Sequence, residues 1–281
     1  MRLSTEIYSL SSRFGYEKAI NMLAAAGFDA LDYSIYENAA NGPAFGDDYK
    51  QYAAKLRQTA EACGVCFNQA HAPFGYCFED YEDPVLIEKT KRAVEFAALL
   101  GAEQIVVHPV NCHKGMDQLA YNMEYYRKFD PICDEFGVKI AIENMWGYDR
   151  DRRCFFQNVC SNGAELARYV DIMGRNYCAC LDVGHCVLVR EEPEDMIRQL
   201  GKDRLKALHI HDNSYLDDDH LLPYSGRIDW DRTMTALREI GYEGDLTLEV
   251  LSYVKSVPDE LVLDAMKYAA KVGRHLISKM Q

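Results

Sequence analysis

Glu143, Asp182, His209 and Glu249 are the residues whose types and spacing could do chemistry in this sequence. Each ends an apolar run, in "AIEN", "LDVGH", "LHIHDN" and "LTLEV", and they lie 39, 27 and 40 residues apart. Three carboxylates and one imidazole set a charge of −3 against +2, which suits one hard or borderline divalent ion, Mn2+, Mg2+, Co2+ or Zn2+, rather than a thiolate-preferring metal. A single Asp or Glu at a strand end ordinarily caps a helix or anchors a loop. Four at regular spacing, in apolar surroundings, read as one site, because burying such carboxylates without a cation costs several kcal/mol each.

Such residues need strands to hold them. Short β-branched or apolar runs occur at 2–7, 30–35, 66–71, 104–108, 139–143, 177–182, 205–211 and 245–250. Helical patterns fill the gaps at 16–26, 47–63, 84–100, 116–136, 164–173, 193–200, 229–240 and 258–278. Pro84, Pro193 and Pro258 open helices, while Gly27, Gly64, Gly101, Gly137 and Gly241 follow helix ends. In the last helix Leu261, Ala265, Tyr268, Val272 and Leu276 form one apolar stripe. Eight such alternations predict an α/β fold, a (β/α)8 TIM barrel in one domain over 1–281. A doubly wound sheet would want a Gly-rich phosphate loop after the first strand, and residues 9–15 offer none. Barrel chemistry sits at the C-terminal strand ends, so the four residues are expected around one rim.

Composition excludes several classes. The chain has 281 residues, 48% hydrophobic and 27% charged, with no apolar run near the roughly 20 residues that span a bilayer. Its start, MRLSTEIYSL, is too polar for a signal peptide and reads as a first strand, so a cytoplasmic location is expected. The ten cysteines then read as reduced thiols. Cys63 and Cys66 form a C-x-x-C between a helix end and a strand start, not at the helix N-terminus that stabilises a thiolate, and Cys178 and Cys180 alternate along an apolar strand. A net charge of −13 argues against nucleic acid, whose affinity rests on Lys and Arg neutralising phosphates.

With "HAPF" at 71–74, "VVHP" at 106–109, "IEN" at 142–144, "LDVGH" at 181–185, "HIHDN" at 209–213, "DDHLLPYSGRIDW" at 218–230 and "LTLEV" at 246–250, the sequence resembles the sugar phosphate isomerase/epimerase group of xylose-isomerase-like barrels. That superfamily also contains the zinc-dependent apurinic endonucleases. The resemblance implies one metal on Glu143, Asp182, His209 and Glu249, with Glu143 and Glu249 as the acid/base pair. The endonuclease branch uses more ligands, at positions filled here by His71, His108, His185, Asp218 and His220. Isomerase-like members use such histidines on sugar hydroxyls, so His71, His108, His185 and His220 are expected to bind substrate. His211 is not a ligand in that family, and His211 and Asp212 are expected to orient neighbours. The ketose epimerases carry Gly and Glu at 211 and 212, with an Arg soon after, and the departure here points away from a ketohexose substrate.

The expected reaction is proton transfer beside a carbonyl through an enediolate: two bases for epimerisation, one shuttling group for isomerisation. The partner is a small sugar or polyol-ketone, without nucleic acid or membrane, and a homo-oligomer stays open. Other readings are an inosose-type dehydratase on the same enolate, an apurinic endonuclease-like phosphodiesterase, and a barrel that only binds. Tyr33, Tyr36, Phe74, Tyr76, Trp146, Tyr148, Phe155 and Phe156 are expected at the rim, with Trp146 as a substrate contact. Residues 146–162, with "DRDRRC", are long for a βα loop and read as a lid or a solvated insertion.

Overall fold

Alternation along a strand sorts its side chains into two faces, and a closed sheet turns those faces into a lumen and an outer surface. In the computed structural model, which describes residues 1–36 and 42–280, eight parallel strands do this. They are β1 (Leu3–Glu6), β2 (Ala30–Ser34), β3 (Cys66–His71), β4 (Gln104–Val107), β5 (Lys139–Glu143), β8 (Tyr177–Asp182), β9 (Leu205–His209) and β10 (Leu246–Leu248). The order is β10-β1-β2-β3-β4-β5-β8-β9. Ile210 N donates to Thr247 O at 2.8 Å and Glu249 N to Ile210 O at 3.0 Å, which joins β9 to β10 and closes the cylinder. The remaining described strands, β6 (Trp146–Asp149) and β7 (Cys154–Gln157), form a separate antiparallel ribbon.

Outward residues such as Leu31, Tyr33, Ile105, Ile140, Ile142, Leu181 and Leu248 pack into the large core under the helices. Inward, Val106, Ala141, Cys178, Cys180 and Ala207 make a small apolar cluster of their own. The other side of the lumen is hydrogen-bonded: Ser4 Oγ donates to Asn68 Oδ1 at 2.7 Å, Thr247 Oγ1 to Gln69 Oε1 at 3.3 Å, and Gln69 Nε2 to Asp32 Oδ2 at 2.8 Å. Continued upward, the inward alternation reaches Glu6, Asp32, His71, His108, Glu143, Asp182, His209 and Glu249. The rim of the lumen is therefore a ring of carboxylates and imidazoles.

The expected elements need four corrections. The pattern at 116–136 is two helices, Gln118–Arg127 and Asp130–Phe136, because Pro131 lacks an N–H and its ring blocks the preceding turn. In the last helix, Val262–Ser278, the expected Val272 and Leu276 are buried and Ala265 half-buried, but Tyr268, and Leu261 just before the helix, are 58% and 52% exposed; Val262, Met266, Ala269, Ala270 and Gly273 complete the buried face. Gly273 turns that face inward, since a Cβ there would come within 2.4 Å of Leu3 Cδ1. Two short helices, Tyr8–Phe14 and Val183–Leu188, follow β1 and β8 directly and were not anticipated. The strand expected to reach residue 211 ends at His209.

All ten cysteines are free. Burial pushes the Cys66 thiol up, which fits a packing role. No helix among the described residues is long and apolar enough to cross a membrane.

Candidate active site

The strand ends bring Glu143, Asp182, His209 and Glu249 together: one ligand atom from each lies within 4.8 Å of the others. His209 is the hub. Its Nδ1 is 2.6 Å from Glu143 Oε1, 3.4 Å from Glu249 Oε2 and 4.0 Å from Asp182 Oδ2. On the far side Asp32 Oδ2 approaches Nε2 at 3.4 Å, and Tyr36 OH donates to Glu249 Oε1.

Two further groups flank this quartet. His71 and His108 meet at 3.0 Å between their Nε2 atoms, and they reach Glu143 Oε2 at 3.7 and 2.9 Å. On the other side His185 Nε2 is 3.3 Å and His220 Nε2 3.4 Å from Asp218 Oδ2. His211 belongs to this second group, with Nε2 3.0 Å from Asp182 Oδ1 and its ring stacked on His220 at 4.1 Å. The expected sugar-binding histidines thus sit inside ligand-type clusters. His211, Asp32 and Glu6 join a site in which the sequence reading gave them no ligand role.

Why the chain folds this way locally is visible in its glycines and caps. Asp182 caps the helix after β8 by accepting from His185 N at 2.7 Å. Gly184 leaves room for the His211 ring, which a Cβ would meet at 1.9 Å. Asn144 ties β5 to β8, accepting from Asp182 N at 2.7 Å and donating to Asp182 O at 2.9 Å. His220 holds a left-handed backbone (φ 48) while its Nδ1 lies 2.9 Å from Glu249 O.

Asp212 organises the loop that carries Asp218 and His220. Its buried carboxylate accepts from Asn213 N (3.0 Å), Ile228 N (3.1 Å), Tyr224 N (2.9 Å) and Trp230 Nε1 (3.0 Å). Gly226 is required at this crossing, because a Cβ would fall 2.4 Å from Asp212 Oδ1. Asp212→Asn turns one acceptor oxygen into a donor that faces two donors, so thermal or urea unfolding should show a loss of about 2–4 kcal/mol. An unchanged midpoint would remove Asp212 as the organiser.

The electrostatics fit a cation. Burial alone raises the carboxyls of Glu143 and Asp218, but surrounding imidazoles outweigh it and hold both well below the usual range. Conversely, burial depresses His209 and His185, yet Cys180, Glu249 and Glu143 around the first, and Asp182 and Asp218 around the second, lift both well above their ordinary value. His220 is pushed up to about 10 against its burial, chiefly by Asp218. Five buried atoms here, Glu6 Oε1, Asp32 Oδ1, Glu143 Oε2, His209 Nε2 and Asp218 Oδ1, lack an aligned hydrogen bond. Orphaned carboxylate oxygens beside charged imidazoles are what a divalent ion would satisfy as it displaces the imidazole protons.

Glu6 supplies a pH test. Burial, with Glu249 and Asp32 adding to it, pushes its carboxyl from 4.5 up to about 7, against hydrogen bonds from Ser9. A raised acid is at ease protonated, so its contribution is intact below pH 4.5 and is lost as pH rises through 7. The displacement corresponds to about 3 kcal/mol. Glu6→Gln should therefore raise the Tm of metal-free protein at pH 8 and leave it unchanged near pH 4.5; a pH-independent effect would refute the assignment.

Above the clusters opens a cleft of about 900 Å3. Tyr36, Phe74, Tyr76, Trp146, Tyr148 and Phe155 line it. Two expected rim aromatics do not. Tyr33 points outward and stacks on Tyr16 at 4.9 Å in the core, and Phe156 covers Gly147 on the other face of the ribbon. The 146–162 segment is neither plain loop nor plain insertion: the β6–β7 ribbon within it builds one wall of the cleft.

A closed parallel barrel with carboxylates and imidazoles converging at the C-terminal mouth defines a barrel enzyme scaffold. The chain belongs to the xylose isomerase-like TIM barrel family, whose model matches residues 20–277. A protein of Sinorhizobium fredii without assigned function is 32% identical over 69% of this chain, which spans 62% of that relative's length. The D-psicose 3-epimerase of Enterocloster bolteae is 25% identical over 83% of this chain and 76% of its own. Among solved structures, D-psicose 3-epimerase with D-tagatose from Clostridium cellulolyticum H10 superposes with a TM-score of 0.76 at 19% identity, covering 99% of both chains, a likeness of fold.

Proposed function

We propose that the protein is a divalent-metal-dependent sugar isomerase or epimerase that moves a proton on the carbon beside a carbonyl. One observation carries this reading: Glu143 and Glu249 both abut His209 Nδ1, at 2.6 and 3.4 Å, at the floor of a large aromatic-lined cleft. The 3-epimerases among its relatives support the same class.

Glu143, Asp182, His209 and Glu249 would hold the ion, which supplies charge stabilisation for the oxyanion that develops as the α-proton leaves. The rest falls to side chains. Glu143 and Glu249, at the ends of β5 and β10, would take and return the proton, one from each side of a bound carbon. Tyr36 steadies Glu249 by donating to its Oε1, while Oε2 faces His209 at 3.4 Å. His71, His108, His185 and His220 offer ring nitrogens to hydroxyls. Loss of water from the same intermediate, as in an inosose dehydratase, needs no different floor.

A second reading has its own support. The flanking groups His71–His108–Glu143 and His211–Asp218–His220 are each compact enough for a further ion, as in an apurinic endonuclease-like phosphodiesterase. Against it stands the cleft, where Arg150 is the one Lys or Arg among the lining residues. Elemental analysis of purified protein, solvent deuterium exchange into ketoses, sugar phosphates and inososes, and cleavage of an abasic duplex separate the two. One ion with exchange supports the isomerase; three ions with cleavage and no exchange overturn it.

A further inference from the structure

Two aromatic walls lead from the floor of the cleft to its mouth. One runs from His108 through Phe74 to Tyr76, with ring centroids 4.6 and 5.6 Å apart. The other runs from His185 through Trp146 and Phe155 to Tyr148, at 6.2, 5.1 and 5.0 Å. At about 900 Å3 the cleft is near the top of the roughly 300–1,000 Å3 range that encloses drug-sized ligands.

We propose that the outer half of this cleft is a subsite for a planar, uncharged, apolar group: the aglycone of a glycoside whose keto sugar occupies the carboxylate and imidazole floor. The inference rests on the isomerase reading for the floor alone.

Three observations support that occupant. Tyr76 and Leu216, 88% and 80% exposed, are the most exposed large hydrophobic side chains among the described residues, and both line this cleft. Paired apolar exposure at a concave mouth marks a binding surface. Away from the imidazole and carboxylate floor the charged side chains of the lining are Arg150 and Asp217, which offset each other, so a phosphorylated or otherwise anionic tail finds no cationic cradle there. Finally, away from the floor the polar groups, Asn111, Asn158, Arg150, Asp217 and the Tyr76 and Tyr148 hydroxyls, are interspersed with the rings of Phe74, Trp146 and Phe155, whose faces serve a flat ring better than a second hydroxyl-rich sugar. The Trp146 indole N–H, buried and without a protein partner, is a donor available to a ligand oxygen between the two halves.

Calorimetric titration of metal-loaded protein with 4-nitrophenyl β-D-glucopyranoside, methyl β-D-glucopyranoside and cellobiose tests this. The aryl glucoside should bind about tenfold tighter than the methyl glucoside, with cellobiose no better than methyl. Tyr76→Ser and Leu216→Ser, both at exposed positions where folding is safe, should each shrink that ratio severalfold, as should Phe155→Ser. Equal affinities for the aryl and methyl glucosides overturn the proposal. So does cellobiose matching the aryl ligand, which makes the subsite a sugar site. Self-association that Leu216→Ser abolishes, without aryl preference, also overturns it by showing that a second copy covers the mouth. Deuterium exchange into free ketoses tests the floor separately: exchange without aryl preference removes only the outer subsite, and aryl preference without exchange removes only the isomerase reading.

Discussion

Glu249→Gln is expected to fold normally and, once loaded at saturating metal, to lose exchange of a substrate α-proton with solvent deuterium by about 10²–10⁴-fold. The amide preserves volume and can still accept from Tyr36 OH, so the barrel mouth has no reason to shift. It cannot take a proton at the carbon. Glu143→Gln should lose exchange at least as fully, since that residue also contacts His209 at 2.6 Å and His108 at 2.9 Å and its charge offsets both imidazoles. Thermal melting and elemental analysis of the two variants separate a lost base from a lost fold or a lost ion. Exchange at the wild-type rate in Glu249→Gln would leave a single shuttling group, Glu143, and abolish the two-base scheme.

Removing divalent ions should abolish exchange and lower Tm, and restoring them should reverse both. At a free concentration about a hundredfold above Kd, an ion that binds only the folded chain adds about 2.7 kcal/mol. The pH dependence has a definite sign. In the metal-free protein His209 and His185 are held well above their ordinary value and His220 at about 10, so all three are protonated at neutral pH. An ion entering beside them must displace protons; affinity therefore rises with pH and falls as the solution is acidified. Calorimetry in buffers of different ionisation enthalpy reads the protons released. A chain whose Tm ignores chelator, and whose ion binding releases none, has no metal centre here.

Much of the fold is legible in the sequence for a plain reason. Each βα unit carries its own punctuation: Pro84 and Pro193 at helix starts, Gly27, Gly101 and Gly137 in the left-handed conformation at helix ends. These are local effects of backbone geometry, and they survive any tertiary context. The misreadings arose where packing decided. The last helix rotated its face because Gly273 allows contact with Leu3, a partner 270 residues away in sequence. The 116–136 pattern hid a break that only Pro131 signalled.

The site divides the same way. Glu143, Asp182, His209 and Glu249 stand out because each interrupts an apolar run with a charge, and a charge at a buried strand end demands an explanation. Asp32 and Glu6 send the same signal, in "ALDYS" and "LSTE", and inward alternation from Ala30 or Ser4 would have found them. His211 is different. Its contact with Asp182 depends on the space above Gly184, which nothing near residue 211 announces.

By itself the sequence determined the eight-fold alternation, the charged and imidazole side chains at the strand ends, and the acidic balance of the chain, because these follow from local periodicity and side-chain type. Only the tertiary structure decided that the quartet sits between two further imidazole and carboxylate groups, and that the 146–162 segment folds into a ribbon walling a large cleft. Both depend on which strand ends meet around a closed barrel, and that closure joins residues 210 and 247–249 to a sheet begun at residue 3.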